Sequence, residues 1–169
     1  MNNEHVLKIV ELHKSYQQGP QMVEVLRDIN LNVRRGELTL LMGPSGSGKT
    51  TLLTIMGLLL KPTSGRIMLL DKEVTHLNEA VLPQLRRRHI GFIFQAFNLL
   101  SSLNALQNVE VAFALQGMKG RQAREQAKSL LDKVNLGHRW NHRPQTLSGG
   151  EKQRVAIARA LASPAELIL

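Results

Sequence analysis

The segment Gly43-Pro44-Ser45-Gly46-Ser47-Gly48-Lys49-Thr50 matches the phosphate-binding pattern G-x-x-x-x-G-K-S/T at every fixed position. Ahead of it, Leu38-Thr39-Leu40-Leu41-Met42 is a short apolar run that reads as a buried strand. Behind it, Thr51-Leu52-Leu53-Thr54-Ile55-Met56 reads as the start of a helix. Glycines let such a loop take positive φ and leave no Cβ in a ligand's way. Successive backbone N–H groups then face one concavity that suits phosphate oxygens. The loop ends at a helix N-terminus, whose free N–H groups and dipole also favour an anion. Lys49, a cation in that first turn, opposes the dipole unless something negative is bound. The hydroxyl of Thr50 suits a magnesium ion between β- and γ-phosphates. The reading is a site for a nucleoside triphosphate.

Composition sets the frame. A chain of 169 residues, 43% hydrophobic and 21% charged, is about one globular domain. With no cysteine there is no disulfide framework, thiolate metal site or cysteine nucleophile. The longest apolar stretch, Leu52 to Leu60, is short of the roughly 20 residues that span a bilayer. Met1-Asn2-Asn3-Glu4-His5 lacks a basic-then-apolar signal pattern, so the expectation is a cytoplasmic chain, neither secreted nor integral. The net charge of +9 comes from 22 Lys+Arg against 13 Asp+Glu. The basic residues are scattered and aromatics few, which favours a solvated surface over a nucleic-acid partner.

Working outward, Val6 to Leu12 suits an edge strand, followed by Tyr16 and a polar turn at Gln17-Gln18-Gly19-Pro20. Ile29, Leu31 and Val33 alternate, so Val23 to Val33 reads as a strand. Arg66 to Leu70 is another short strand. Asn78 to Arg88 reads as a helix capped by Asn78, with Arg86-Arg87-Arg88 complementing its C-terminus. Ile90 to Phe94 reads as a buried strand ending at Gln95. Asn104 to Leu115 and Arg121 to Val134 show helical spacing, and Gly149 to Ala162 is helical with Val155, Ala158 and Leu161 or Ala162 on one face. Leu167-Ile168-Leu169 reads as a strand. His138 and His142 lie in a polar linker without a carboxylate at metal-ligand spacing.

Leu147-Ser148-Gly149-Gly150-Glu151 carries a second signal. Ser148 with Glu151 three residues on is a capping box. That does not explain two consecutive glycines, which are costly inside a helix. At a helix N-terminus they expose backbone N–H groups to an anion.

Together with Lys152 to Ala160, this segment resembles the signature and helix of the ATP-binding subunits of ABC transporters, over a match from about Tyr16 to Leu169. Glu151 stands where the family more often has Gln. The loop at 43–50 and Gln95-Ala96-Phe97-Asn98-Leu99-Leu100 are most similar to the lipoprotein-release, macrolide-export and glycolipid-export subgroup. The resemblance implies an α/β fold: a P-loop NTPase core at 1–94 and 149–169, with an antiparallel β-subdomain and a helical insertion at 95–148. It implies ATP and Mg2+ as ligands. Tyr16 would stack on adenine, Gly43 to Thr51 would wrap the phosphates, and Lys49 would meet the β- and γ-phosphates. Thr50 and Gln95 would reach the metal, and Gln95 also the attacking water. Ser148, Gly149, Gly150 and Glu151 would close on the nucleotide of a second ATP-binding subunit in a head-to-tail dimer. A membrane permease, a periplasmic adaptor and a place on the inner face of the membrane are implied too, and no nucleic acid. The family's aspartate and glutamate after Leu167 to Leu169, and a later histidine, are not among the 169 residues. The expectation is a C-terminally truncated domain that binds ATP without hydrolysing it alone. The alternatives are a DNA-repair or chromosome-organising ATPase with the same motifs, though no heptad run separates them here, and an inactive nucleotide-binding regulatory module.

Overall fold

The computed structural model describes residues 4–169, which divide into two compact units between Pro83 and Gln84.

The first unit is built on a long hairpin, β1 (His5–Gln18) and β2 (Gln21–Arg34). Its two-residue turn has Gly19 at φ 61, the positive φ that matches the twist of paired strands. β3 (Ser64–Leu69) and β4 (Lys72–Glu73) complete an antiparallel sheet in the order β2-β1-β3-β4. β1 is therefore an inner strand, not the edge expected of Val6 to Leu12. The reason is its pairing: β1 bonds to β2 along one side and to β3 along the other, and Val6, Leu7, Ile9 and Leu12 are buried in the process. The strand also runs further than expected, carrying Lys14 and Tyr16 within the ladder. Bulges bend the hairpin where Glu11 and Asp28 have positive φ; the Glu11 N–H donates to Asn30 Oδ1 at 2.9 Å, which anchors the kink. Helix α1 (Lys49–Met56) buries Leu52, Ile55 and Met56.

One expectation fails in this unit and a second where the two units divide. Leu38 to Met42 has no regular secondary structure and forms no ladder among the described residues, and Leu38, Leu40 and Met42 are 86%, 74% and 84% exposed. An apolar run specifies a strand only where a neighbouring strand takes its backbone groups. The helix expected from Asn78 begins later, as α2 (Leu82–His89), with Pro83 in its first turn where a missing N–H costs nothing. Asn78 instead closes a turn, its Oδ1 accepting from the Ala80 N–H at 2.9 Å. The arginines do occupy the last turn of α2.

The second unit is mainly helical. β5 (Ile90–Gly91) pairs in parallel with β6 (Leu167–Ile168), and the Ile93 N–H extends the contact by donating to the Leu169 carbonyl at 2.7 Å. The regular strand is thus shorter than Ile90 to Phe94. α3 (Ala105–Leu115) starts at Asn104 with a complete capping box closed by Gln107. α4 (Gly120–Lys133) and α5 (Gly149–Leu161) pack with it around Leu106, Val109, Leu131, Leu136, Leu147 and Val155. Val155, Ala158 and Ala162 share the buried face of α5, whereas Leu161 is 46% exposed. Fully buried Asn108 is satisfied from both ends: its Oδ1 accepts from the Leu100 N–H, and its Nδ2 donates to the carbonyls of Leu100, Leu103 and Asn104. A lone amide thereby fixes the chain that leads into α3.

Candidate functional site

The phosphate loop lies in the first unit. Gly43, Gly46 and Gly48 all have positive φ. A Cβ on Gly43 would sit 2.8 Å from Ser47 Oγ, and one on Gly48 would sit 2.8 Å from the Leu26 side chain and 3.0 Å from the Val25 carbonyl. These glycines are needed for the loop to close and for α1 to seat against β2. Pro44, Ser45, Gly46 and Ser47 are exposed, and the Ser47 N–H donates to the Pro44 carbonyl at 3.3 Å. The Lys49 ammonium folds back over the loop, donating to the carbonyls of Gly43 at 2.8 Å and Pro44 at 2.5 Å and to Ser47 Oγ at 3.3 Å. A cation is thus held above the bend by the loop's own oxygens.

The N-terminus of α1 carries no side-chain cap and no acidic residue in its first turn. Its leading N–H groups and its dipole have no partner of their own, and Lys49 adds positive charge to them. A polyanion fits that arrangement. Thr50 is exposed at the same end, with its carbonyl taken by Thr54 Oγ1 at 2.6 Å; Thr51 beside it is half-buried. Tyr16 lies in the hairpin whose other strand seats Gly48. It pairs with Val23, its ring is 40% exposed, and the Lys14 ammonium stands 5.1 Å from the ring centre.

Gln95 and Ser148 to Glu151 lie in the second unit. Gln95 is exposed in a turn closed by the Phe97 N–H donating to the Phe94 carbonyl at 2.9 Å. Ser148 caps α5 as expected: its Oγ accepts from the Glu151 N–H at 3.2 Å, and Glu151 Oε2 accepts from the Ser148 N–H at 2.8 Å. The Ser148 backbone N–H, then its hydroxyl, hold the Glu151 carboxyl below its ordinary pKa, with Arg139 and Arg154 adding to the effect. Glu151 Oε1 also lies 3.2 Å from Arg139 Nε, and Arg139 Nη1 is 3.1 Å from His142 Nε2. A Cβ on Gly149 would meet nothing within 4 Å, and one on Gly150 only the tip of Arg154 at 3.6 Å. The chain's own packing does not require either glycine.

The family model described as ABC transporter matches residues 26–169. The chain belongs to the ABC transporter family. An ABC transporter ATP-binding protein of Thermotoga maritima is 46% identical over 97% of this chain and 70% of its own length. A lipoprotein-releasing system ATP-binding protein, LolD, of Saccharophagus degradans is 44% identical over 97% of this chain and 72% of its own. A macrolide export ATP-binding/permease protein, MacB, of a Shewanella species is 44% identical, and there the chain spans only 25% of the relative. Among solved structures, the dimeric ATP-binding cassette MJ0796 in a post-hydrolysis state with ADP and Pi superposes with a TM-score of 0.90 at 42% identity, covering 96% of this chain and 72% of that one. The fold is that of an ABC ATPase: an α/β chain with an antiparallel β-sheet and a helical part. No helix among the described residues is long and apolar enough to cross a membrane, and no metal-binding cluster of His, Cys, Asp or Glu occurs among them.

The sequence gives no signal that singles out Arg139, Asn108 or Arg159, whose side chains hold Glu151 and the chain that follows Gln95. Arg159 donates to the carbonyls of Phe97 and Asn98, two and three residues after Gln95. A sequence separation of 62 residues gives no periodic signal for such a contact.

Proposed function

We propose that this chain is the ATP-binding subunit of an ABC exporter, in which two ATP-binding subunits close head to tail over two ATP molecules. The observation that carries it is the bare N-terminus of α1, with Lys49 held over the loop by the Gly43 and Pro44 carbonyls. Tyr16 would stack on adenine, and Gly43 to Thr51 would wrap the phosphates. Lys49 would leave the loop carbonyls for the β- and γ-phosphate oxygens. Thr50 and Gln95 each carry a neutral oxygen of the kind that holds a hard cation; they would hold Mg2+, which would supply positive charge against that building on the phosphoryl group. Gln95 would orient the attacking water. The open diglycine at 149–150 would meet the γ-phosphate on the second subunit, flanked by Ser148 and Glu151. The proposal keeps the division that the resemblance implies, a helical subdomain at 95–148 within a core of 1–94 and 149–169; α5, on the core side of that division, packs against α3 and α4.

The names of the LolD and MacB relatives support a lipoprotein, lipid or drug-like cargo moved through a membrane permease, with a periplasmic adaptor as a further partner. In this reading the chain would work on the cytoplasmic face of the membrane. For the reading as a whole, calorimetry on the intact protein should show one Mg-ATP per chain; no affinity for Mg-ATP would end it.

A further inference from the structure

Gln95 sits in a loop whose backbone is held by a side chain from the signature helix. Arg159, in the last turn of α5, sends Nη1 to the Asn98 carbonyl at 2.6 Å and Nη2 to the Phe97 carbonyl at 2.8 Å. Both acceptors belong to residues with positive φ, 61° at Phe97 and 46° at Asn98, a conformation that costs energy in residues with a Cβ. Short local bonds tighten the same turn: Phe97 N–H to the Phe94 carbonyl and Asn98 N–H to the Ala96 carbonyl at 2.7 Å. Beyond it, Leu100 is held at its N–H and its carbonyl by buried Asn108, and Leu99 packs against the helical core. Burial lowers the pKa of Arg159 from its ordinary value, so these two carbonyls stand in for water around a partly desolvated guanidinium.

We propose that Arg159 is a positioning residue for the ATPase reaction: its guanidinium locks the strained backbone at Phe97 and Asn98, and so makes the Gln95 loop move as one body with the signature helix. The inference rests on the reading of Gln95 and α5 given above. Its physical core is the planar fork of arginine, which offers two parallel donors to two successive carbonyls; a lysine ammonium is a point charge and cannot span both in fixed geometry. A signature start at Ser148 that closes on the γ-phosphate of a second subunit would thereby tug the loop that bears the metal- and water-facing glutamine. Without that link the loop would sample conformers in which Gln95 is displaced, and displacements of about 1 Å cost up to about 100-fold in rate.

The test uses the intact protein with Arg159→Gln, Arg159→Lys, Gln95→Ala and the Arg159→Gln/Gln95→Ala double variant. Amide hydrogen exchange at Phe97 and Asn98 should speed up about tenfold or more in Arg159→Gln, while the Leu100 amide, held by Asn108, changes little. Turnover should fall about tenfold or more, with the dissociation constant for ATP within about twofold of wild type. Adding Gln95→Ala should lower the rate no further than Gln95→Ala does alone. Arg159→Lys should show the same loosening in milder form; should Arg159→Gln fail to fold, Arg159→Lys and its Gln95→Ala double carry the same comparison. Unchanged exchange at Phe97 and Asn98, or effects of the two substitutions that multiply, would overturn the proposal. A Gln95→Ala protein with wild-type turnover would instead remove the role given to Gln95, and the exchange data would still decide whether Arg159 fixes the loop.

Discussion

Two glycine-bearing helix starts, Gly48 before α1 and Ser148-Gly149-Gly150 at α5, differ in how completely the chain satisfies them. α1 begins after a left-handed glycine with no side-chain cap, no acid, and a lysine as its first residue. α5 begins with a reciprocal capping box and an acid in its first turn. In α5 the box takes up the N–H groups of Ser148 and Glu151, leaving those of Gly149 and Gly150 without an intrahelical partner. The first start is electrically unbalanced as a whole, and the second is balanced except for a narrow, unobstructed pair of donors. A broad polyanion suits the one, and a single phosphate edge presented by another molecule suits the other.

The largest effect should come from breaking the unbalanced start. Lys49→Ala in the intact protein removes the only side-chain charge on the loop, and should lower ATP turnover by about 100-fold or more, as read by steady-state phosphate release. Retention of most of the activity would make the loop's lysine a structural clamp on Gly43 and Pro44 and nothing more. The next effect tests the open pair. Gly150→Ala adds a methyl group where the chain leaves room, so helix propensity should raise stability by up to about 1 kcal/mol. ATP-dependent dimer formation, followed by light scattering, should nonetheless fall about tenfold, because the methyl group meets the approaching nucleotide. A variant that is both more stable and fully able to dimerise would return the diglycine to the status of a plain helix start.

Much of this contrast was legible in the sequence, because both starts are local. The loop at 43–50, the cap at Ser148 with Glu151, and the buried stripe of Val155, Ala158 and Ala162 each depend on residues within a turn or two of one another. What the sequence could not supply was anything set by distant partners. Leu38 to Met42 has a strand's composition, yet no ladder forms on it among the described residues. Val6 to Leu12 alternates only loosely, which suits an edge, and only the pairing of β1 with both β2 and β3 shows that it is internal. Arg159 reaches Phe97, and Arg139 reaches Glu151, through tertiary approach that no spacing rule encodes.

A smaller effect should follow from Ser148→Ala, which takes the hydroxyl from the Glu151 N–H and half of the box with it. Loss of such a cap costs about 1 kcal/mol, to be read as a lowered melting temperature of the intact protein. α1 has no cap to lose, so Gly48→Ala should act differently: the added methyl group strikes Leu26 and the Val25 carbonyl and strains a backbone at φ 84.

The least of the effects is a dependence on pH, and it too separates the two starts. Glu151 is held below its ordinary pKa, first by the Ser148 N–H, then by the Ser148 hydroxyl, with Arg139 and Arg154 contributing. A depressed carboxyl pKa means the folded chain binds the proton less readily than the unfolded one, so the stabilisation is present at neutral pH. It fades as pH falls through the usual carboxylate range, about 4.3 for glutamate, towards the lower folded value. Amide exchange along the first turn of α5 should therefore quicken, relative to its intrinsic rate, as pH falls through that window. Glu151→Gln keeps a side chain able to complete the box but has nothing to titrate, so its protection should be flatter with pH and lower at neutrality, where the ion pair to Arg139 is gone. The first turn of α1 has no carboxylate and should show no such change. Equal pH profiles for wild type and Glu151→Gln would mean that the box, and not the charge, sets the order of the signature start.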